Sequence, residues 1–168
     1  MQWHACREFR DRFMNKRIFV LSSLVLAVSA LAAALPYDAS ADAKAQIEQA
    51  LAVAKARQGK VLVIFGANWC EDCRVLDQAL HSERNAKLIA EEFGVVKVDV
   101  GRFDRNLDVV VAYGNPIKKG IPAAVVLSAD NDVLYATRAG ELADARRMSE
   151  TGVYDFFRNV TAAARAKQ

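Results

Sequence analysis

Residues 61–65, VLVIF, form an unbroken apolar run rich in β-branched side chains. A run this short, bounded by Gly59 and Gly66, reads as a strand rather than a helix. With no polar position it has no face to turn toward water. Such a strand belongs inside a sheet that is covered on both sides, so helices are needed above and below it.

The rest of the chain supplies them. Residues 42–57 carry Ile47, Ala50, Leu51 and Ala54 at helical spacing, and Gly59 is expected to stop that helix. Residues 73–80 are helical by composition, with Leu76 and Leu80 four apart; a break at His81-Ser82 separates them from a further helix over 84–93. Residues 95–100 (VVKVDV) alternate as a second strand. Asp104 is expected to cap a helix over 107–113, closed by Gly114, and residues 115–120 read as a connecting loop. Two strands, 123–127 and 133–137, are joined by a hairpin-type turn. Residues 151–165 form a last helix with Val153, Phe156, Phe157 and Val160 on one side. The order α, β, α, β, α, β, β, α predicts an α/β fold, a central mixed sheet with helices on both faces.

Composition narrows the function. The chain has 168 residues, 53% of them hydrophobic and 26% charged, which excludes a disordered or collagen-like polymer. The balance of 23 Lys+Arg against 20 Asp+Glu is too even for a dedicated nucleic-acid binder. Two His leave few ligands for a His-rich metal site, and three Cys exclude a disulfide-dense scaffold.

The N-terminus has the pattern of a secretory signal. Lys16-Arg17 precede a charge-free stretch over 18–35, and Ala39-Ser40-Ala41 follows. Residues 1–41 are therefore expected to be a signal region and 42–168 the domain. Met14 is an alternative start, and Ala32 to Ala34 a rival cleavage site. Export places the protein in the periplasm or outside the cell; the alternative is an uncleaved membrane anchor facing the periplasm. Residues 42–168 hold 18 Lys+Arg against 17 Asp+Glu, so the basic excess sits mostly in the leader. Cys6 lies in the leader as well, and only Cys70 and Cys73 remain in the domain.

Those two define the chemistry. Trp69-Cys70-Glu71-Asp72-Cys73 follows an apolar strand and opens a helix. The spacing places both sulfurs on one side of the first helical turn, within bonding reach. The first thiol then sits where unpaired amides and the helix dipole favour negative charge, and the second is more buried. Acidic Glu71 and Asp72 oppose that stabilisation, which favours a reductant or isomerase over a strong oxidant.

With Gly120-Ile121-Pro122 ahead of the hairpin and Gly140 after it, the strand and the Trp-Cys-x-x-Cys motif resemble the thioredoxin superfamily over about residues 42 to 165. The likeness is to exported bacterial single-domain members. It implies a thioredoxin-like fold, attack by Cys70, resolution by Cys73 and a cis Pro122. It further implies a substrate site made by Trp69, Pro122 and the backbone of Ile121. There are departures. The buried acid usual six residues before the first Cys is Ile64 here, so the resolving thiol lacks its ordinary proton acceptor; Glu71, Asp72 or water are the candidates left. The stretch between Cys73 and Pro122 is also long, which predicts extra structure near Arg84 or Arg102 to Arg105.

Competing readings are plainer. A structural zinc site needs about four ligands, and the domain offers only His81 beyond the Cys pair. A disulfide across so short a loop staples little. Copper carriage would want a distant His, and none follows His81. Lys118-Lys119 and Arg146-Arg147 read as solvated surface. The expected function is thiol–disulfide exchange on protein disulfides through a redox-active Cys70–Cys73 pair, with no other cofactor and no metal. The expected partners are a membrane-embedded electron donor and no nucleic acid, and the protein is expected to be a monomer. The alternative is a thioredoxin-fold binding or assembly module without redox turnover.

Overall fold

The computed structural model describes residues 35–167. Met14, Cys6 and the leader up to residue 34 lie outside them. Among the described residues no helix is long and apolar enough to cross a membrane.

Four strands form one sheet: β1 (Lys60–Gly66), β2 (Phe93–Asp99), β3 (Ala123–Leu127) and β4 (Val133–Ala136), in the spatial order β2-β1-β3-β4. β1 pairs parallel with β2, antiparallel with β3, and β3 antiparallel with β4. Every residue of β1 and β3 is buried, as the apolar runs require. Alternate positions serve two cores. Val61, Val63 and Phe65 pack beneath α1 (Ala43–Arg57), with Val98 and Val125. Leu62, Ile64 and Val126 pack on the opposite face, against Leu76, Ile89, Val153 and Phe157. These come from α2 (Glu71–Leu80), α3 (Glu83–Glu92) and α5 (Glu150–Arg165). Burying one such side chain contributes roughly 1.5–3 kcal/mol, so both layers are needed to offset the entropy of ordering the chain.

Local chemistry explains several boundaries. Asp42 caps α1 by accepting the Ala45 N–H at 3.1 Å. The turn that ends α1 is made by Gln58 in the left-handed region (φ 53°), not by Gly59; the Gly59 N–H closes back on the Ala54 carbonyl at 2.8 Å. Asp104 does not cap α4 (Leu107–Ala112), because its carboxylate accepts the Arg102 N–H at 2.9 Å. Asn106 takes the cap position instead, with φ 52°. The extra length between Cys73 and Pro122 is spent on α3 and on the loop from Val100 to Asn106. Pro116–Lys119, expected as loop, is a short 3-10 turn.

The folded body starts earlier than the 41/42 boundary that the small-residue pattern suggests. Tyr37 is 2% exposed, its ring lying where a Cβ on Gly66 would be, so Gly66 is the residue that admits it. Asn68 brackets Tyr37 from both sides, accepting its N–H at 3.0 Å and donating to its carbonyl at 2.6 Å. Arg105 holds the Ala39 carbonyl at 3.0 Å. Residues 36–41 match a leader's end by composition, but Tyr37 among them is packed against Gly66 and Asn68, just ahead of the cysteines.

Candidate active site

The chain leaves β1 through Ala67-Asn68-Trp69 and enters α2 at Cys70. Cys70 is the N-cap of α2, in extended conformation, and its Sγ accepts the Cys73 N–H at 3.1 Å. A sulfur thus occupies the place where a Ser or Asp oxygen ordinarily satisfies first-turn amides. Negative charge on that sulfur is stabilised by the same amides and by the helix dipole. Cys70 and Cys73 are joined as a disulfide with Cα atoms 5.3 Å apart. Cys70 keeps 6% exposure and Cys73 none, so an incoming sulfur can meet only Cys70.

The other residues singled out in the sequence lie around this pair. The Ile121–Pro122 peptide bond is cis. The Ile121 carbonyl oxygen lies 3.6 Å from Cys70 Sγ, which places the loop ahead of β3 directly over the cysteines. Lys119 and Gly140 meet behind it: Gly140 has φ 80°, and a Cβ there would stand 2.9 Å from the Lys119 carbonyl. Trp69 is 49% exposed and donates its indole N–H to the Gly101 carbonyl at 2.7 Å. That fixes the indole over the loop from Val100, with the Phe103 ring edge-on at 6.2 Å.

Ile64 is fully buried on the α2 side of the sheet. Its neighbour across the β1/β2 ladder is Lys97, which pairs with Asp77 one helical turn beyond Cys73. Burial, with the Asp77 and Asp99 carboxylates close by, pushes the Tyr37 phenol well above its usual range.

One residue that sequence reasoning set aside as surface belongs to the site. Arg146, in the short turn Ala145–Arg147 before α5, covers both acids between the cysteines. Its Nη1 lies 3.1 Å from Glu71 Oε2 and its Nε 3.7 Å from Asp72 Oδ1. Its backbone N–H donates to Asp72 at 2.9 Å. The two acids are therefore not a bare pair of negative charges beside Cys70, as their spacing suggested. No local pattern could have revealed this, because the partners are 74 and 75 positions apart. Among the described residues no group of three or more His, Cys, Asp or Glu side chains is placed to hold a metal ion.

A family profile described as thioredoxin-like matches residues 42–129. The chain belongs to the thioredoxin-like family. A crystal structure of a disulphide isomerase from Xylella fastidiosa Temecula1 is 55% identical, with a TM-score of 0.76 over 77% of this chain and 99% of that one. A DsbH oxidoreductase structure shares the fold at 19% identity, with a TM-score of 0.51 over 69% of this chain and 79% of that one. Comparison with curated protein sequences returns no match. This thioredoxin-like protein is a thiol–disulfide oxidoreductase, with the Cys70–Cys73 disulfide as its redox centre.

Proposed function

We propose that the protein works on the reducing or isomerising side of disulfide exchange, on polypeptides outside the cytoplasm. The observation that carries the mechanism is the asymmetry of the pair: Cys70 caps the helix and keeps some access, while Cys73 is sealed beneath it. The Cys70 thiolate attacks a substrate disulfide. One substrate sulfur leaves as thiolate, and Cys70 is left in a mixed disulfide. In reduction, the Cys73 thiolate then attacks Cys70 Sγ and expels the second substrate sulfur. The electron pair of the dithiol has passed to the substrate, and the Cys70–Cys73 disulfide remains. In isomerisation a thiol of the substrate itself expels Cys70, and no net electrons move. Trp69, Pro122 and the Ile121 backbone frame the sulfur that is attacked.

The isomerase relative supports this direction. The basic and then apolar leader supports export to the periplasm. The reduced state would be regenerated by a membrane-embedded electron donor. Cleavage fits the Ala32 to Ala34 stretch better than Ala41, because loss of residues 36–41 would strip Tyr37 from Gly66 and Asn68.

Trapping tests the mechanism. Cys73→Ser should accumulate mixed disulfides through Cys70 with envelope proteins, separable on non-reducing gels. Cys70→Ser should give none. Absence of adducts with Cys73→Ser under gentle oxidation would defeat the assignment of attack to Cys70.

A further inference from the structure

Beside the active site the surface is apolar where solvation alone would make it polar. Trp69, Phe103, Leu107 and Val111 are four of the eight large hydrophobic side chains exposed among the described residues. Phe103 stands edge-on to Trp69 and shares one groove with Leu107 and Val111. Phe103, Leu107 and Val111 wall a groove of about 410 Å³, with buried Val110 and Ile117 among its lining and Lys118 and Gly120 at its active-site end. Leu107 and Val111 are four apart on α4 and so stand on one face. Val111 is 68% exposed, an unusual position for a valine that serves only packing.

Phe103 is held there against its own preference. Its φ is 65°, a left-handed region that bulky residues rarely enter. The loop maintains it through the left-handed Gly101 and Asn106 and through the bond from Trp69 to Gly101. The result is an exposed aromatic ring edge-on to the active-site indole. Because that indole N–H is spent on Gly101, Trp69 offers a partner only apolar surface.

We propose that this groove is a side-chain subsite for the substrate polypeptide, continuous with the cysteines, which selects disulfides that have a bulky apolar residue nearby in sequence. The occupant is an extended, unfolded segment, since its backbone must reach Ile121 while its side chain reaches Val111. Lys118 lines the groove and Arg102 stands over the Trp69 ring, and neither makes an ion pair among the described residues, so acidic neighbours of the anchor are favoured. A second copy of the chain is the poorer fit. A stable dimer buries roughly 800 Å² on each partner, far more than four side chains provide. This subsite rests on the proposed action on polypeptides and names the class of segment acted on.

Anisotropy with fluorescein-labelled decapeptides tests it without any redox step. Each peptide has Ser in place of its cysteine, Asp at its ends, and either Phe or Ser two to four residues from the centre. The full-length protein should bind the best Phe peptide about tenfold more tightly than its Ser counterpart, the effect of partly burying one ring. Phe103→Asn keeps the left-handed backbone and Val111→Ser is fully tolerable on an exposed helix face; either should bring the ratio to within twofold. Val133→Ser, an exposed apolar residue on β4, should leave it unchanged. Equal binding of both peptides by the native protein, or a ratio that survives both groove variants, would overturn the subsite. So would a dimer in sedimentation that Val111→Ser dissolves. Attack of the cysteine-containing peptide's thiolate on Cys70 of the Cys70–Cys73 disulfide, which forms a mixed disulfide and releases Cys73 as thiolate, is measured in parallel as turnover and separates the two ideas. Discrimination in binding without turnover would sink the redox reading and keep the groove; turnover without discrimination would do the reverse.

Discussion

Replacing Arg146 with glutamine removes one positive charge from the mouth of α2 while keeping the backbone N–H that fixes Asp72. The loop should therefore stay in place, and the change is electrostatic. Arg146 reaches the carboxylate two residues from Cys70, so its charge stands on the order of 8 Å from the sulfur. The side chain is half exposed, which calls for a high effective dielectric. At about 40, a unit charge at that separation is worth about 1 kcal/mol, or roughly three quarters of a pKa unit. Loss of the charge destabilises the thiolate, so the Cys70 pKa should rise by about that much, and the disulfide should become slightly less oxidising. Thiolate absorbance of the reduced protein, titrated from pH 4 to 10, reads the shift. Arg146→Lys should largely retain the native value, and Glu71→Gln with Asp72→Asn should lower it. At 1 M salt the Debye length falls to about 3 Å, and the difference between native and Arg146→Gln proteins should shrink. A shift of zero, a fall, or a rise untouched by salt would refute the electrostatic role.

Three further outcomes follow from the packing around Tyr37. Intact mass of the exported form should place the mature N-terminus before Pro36; a mass corresponding to a start at Asp42 would contradict the structural role given to residues 36–41. Gly66→Ala should cost about 1–3 kcal/mol in urea unfolding through a clash with the Tyr37 ring, and less when Tyr37 is already alanine. The phenol's pKa is raised in the folded state, so the stability it contributes is intact below about pH 10 and is lost as pH climbs above that. The unfolded chain releases this proton first, which costs about 1.4 kcal/mol per pH unit. Tyr37→Phe should unfold less steeply with alkali than the native protein, and identical slopes would show that the phenol does not ionise on unfolding.

What the sequence revealed and what it hid divide along physical lines. The strand at 61–65, the cysteine spacing at a helix start and the hairpin after Pro122 are local patterns, and each was legible because its cause is local. Arg146 was not, since its role depends on two carboxylates brought to it by the fold. Tyr37 was hidden for a related reason: Ala39-Ser40-Ala41 carries a processing pattern whether or not the preceding residues pack into the domain. The left-handed turns at Gln58, Phe103 and Asn106 were missed because glycine, or a plausible Asp cap, stood nearby and drew the assignment.

The reduction potential of the Cys70–Cys73 couple, equilibrated with glutathione and read by mass after alkylation, is the direct test of the central claim. A reversible two-electron couple between about −270 and −180 mV, with Cys70 alkylated before Cys73, is the predicted result. A potential near −120 mV would contradict the reducing or isomerising role, and a pair that cannot be reduced and reoxidised would contradict the redox centre itself.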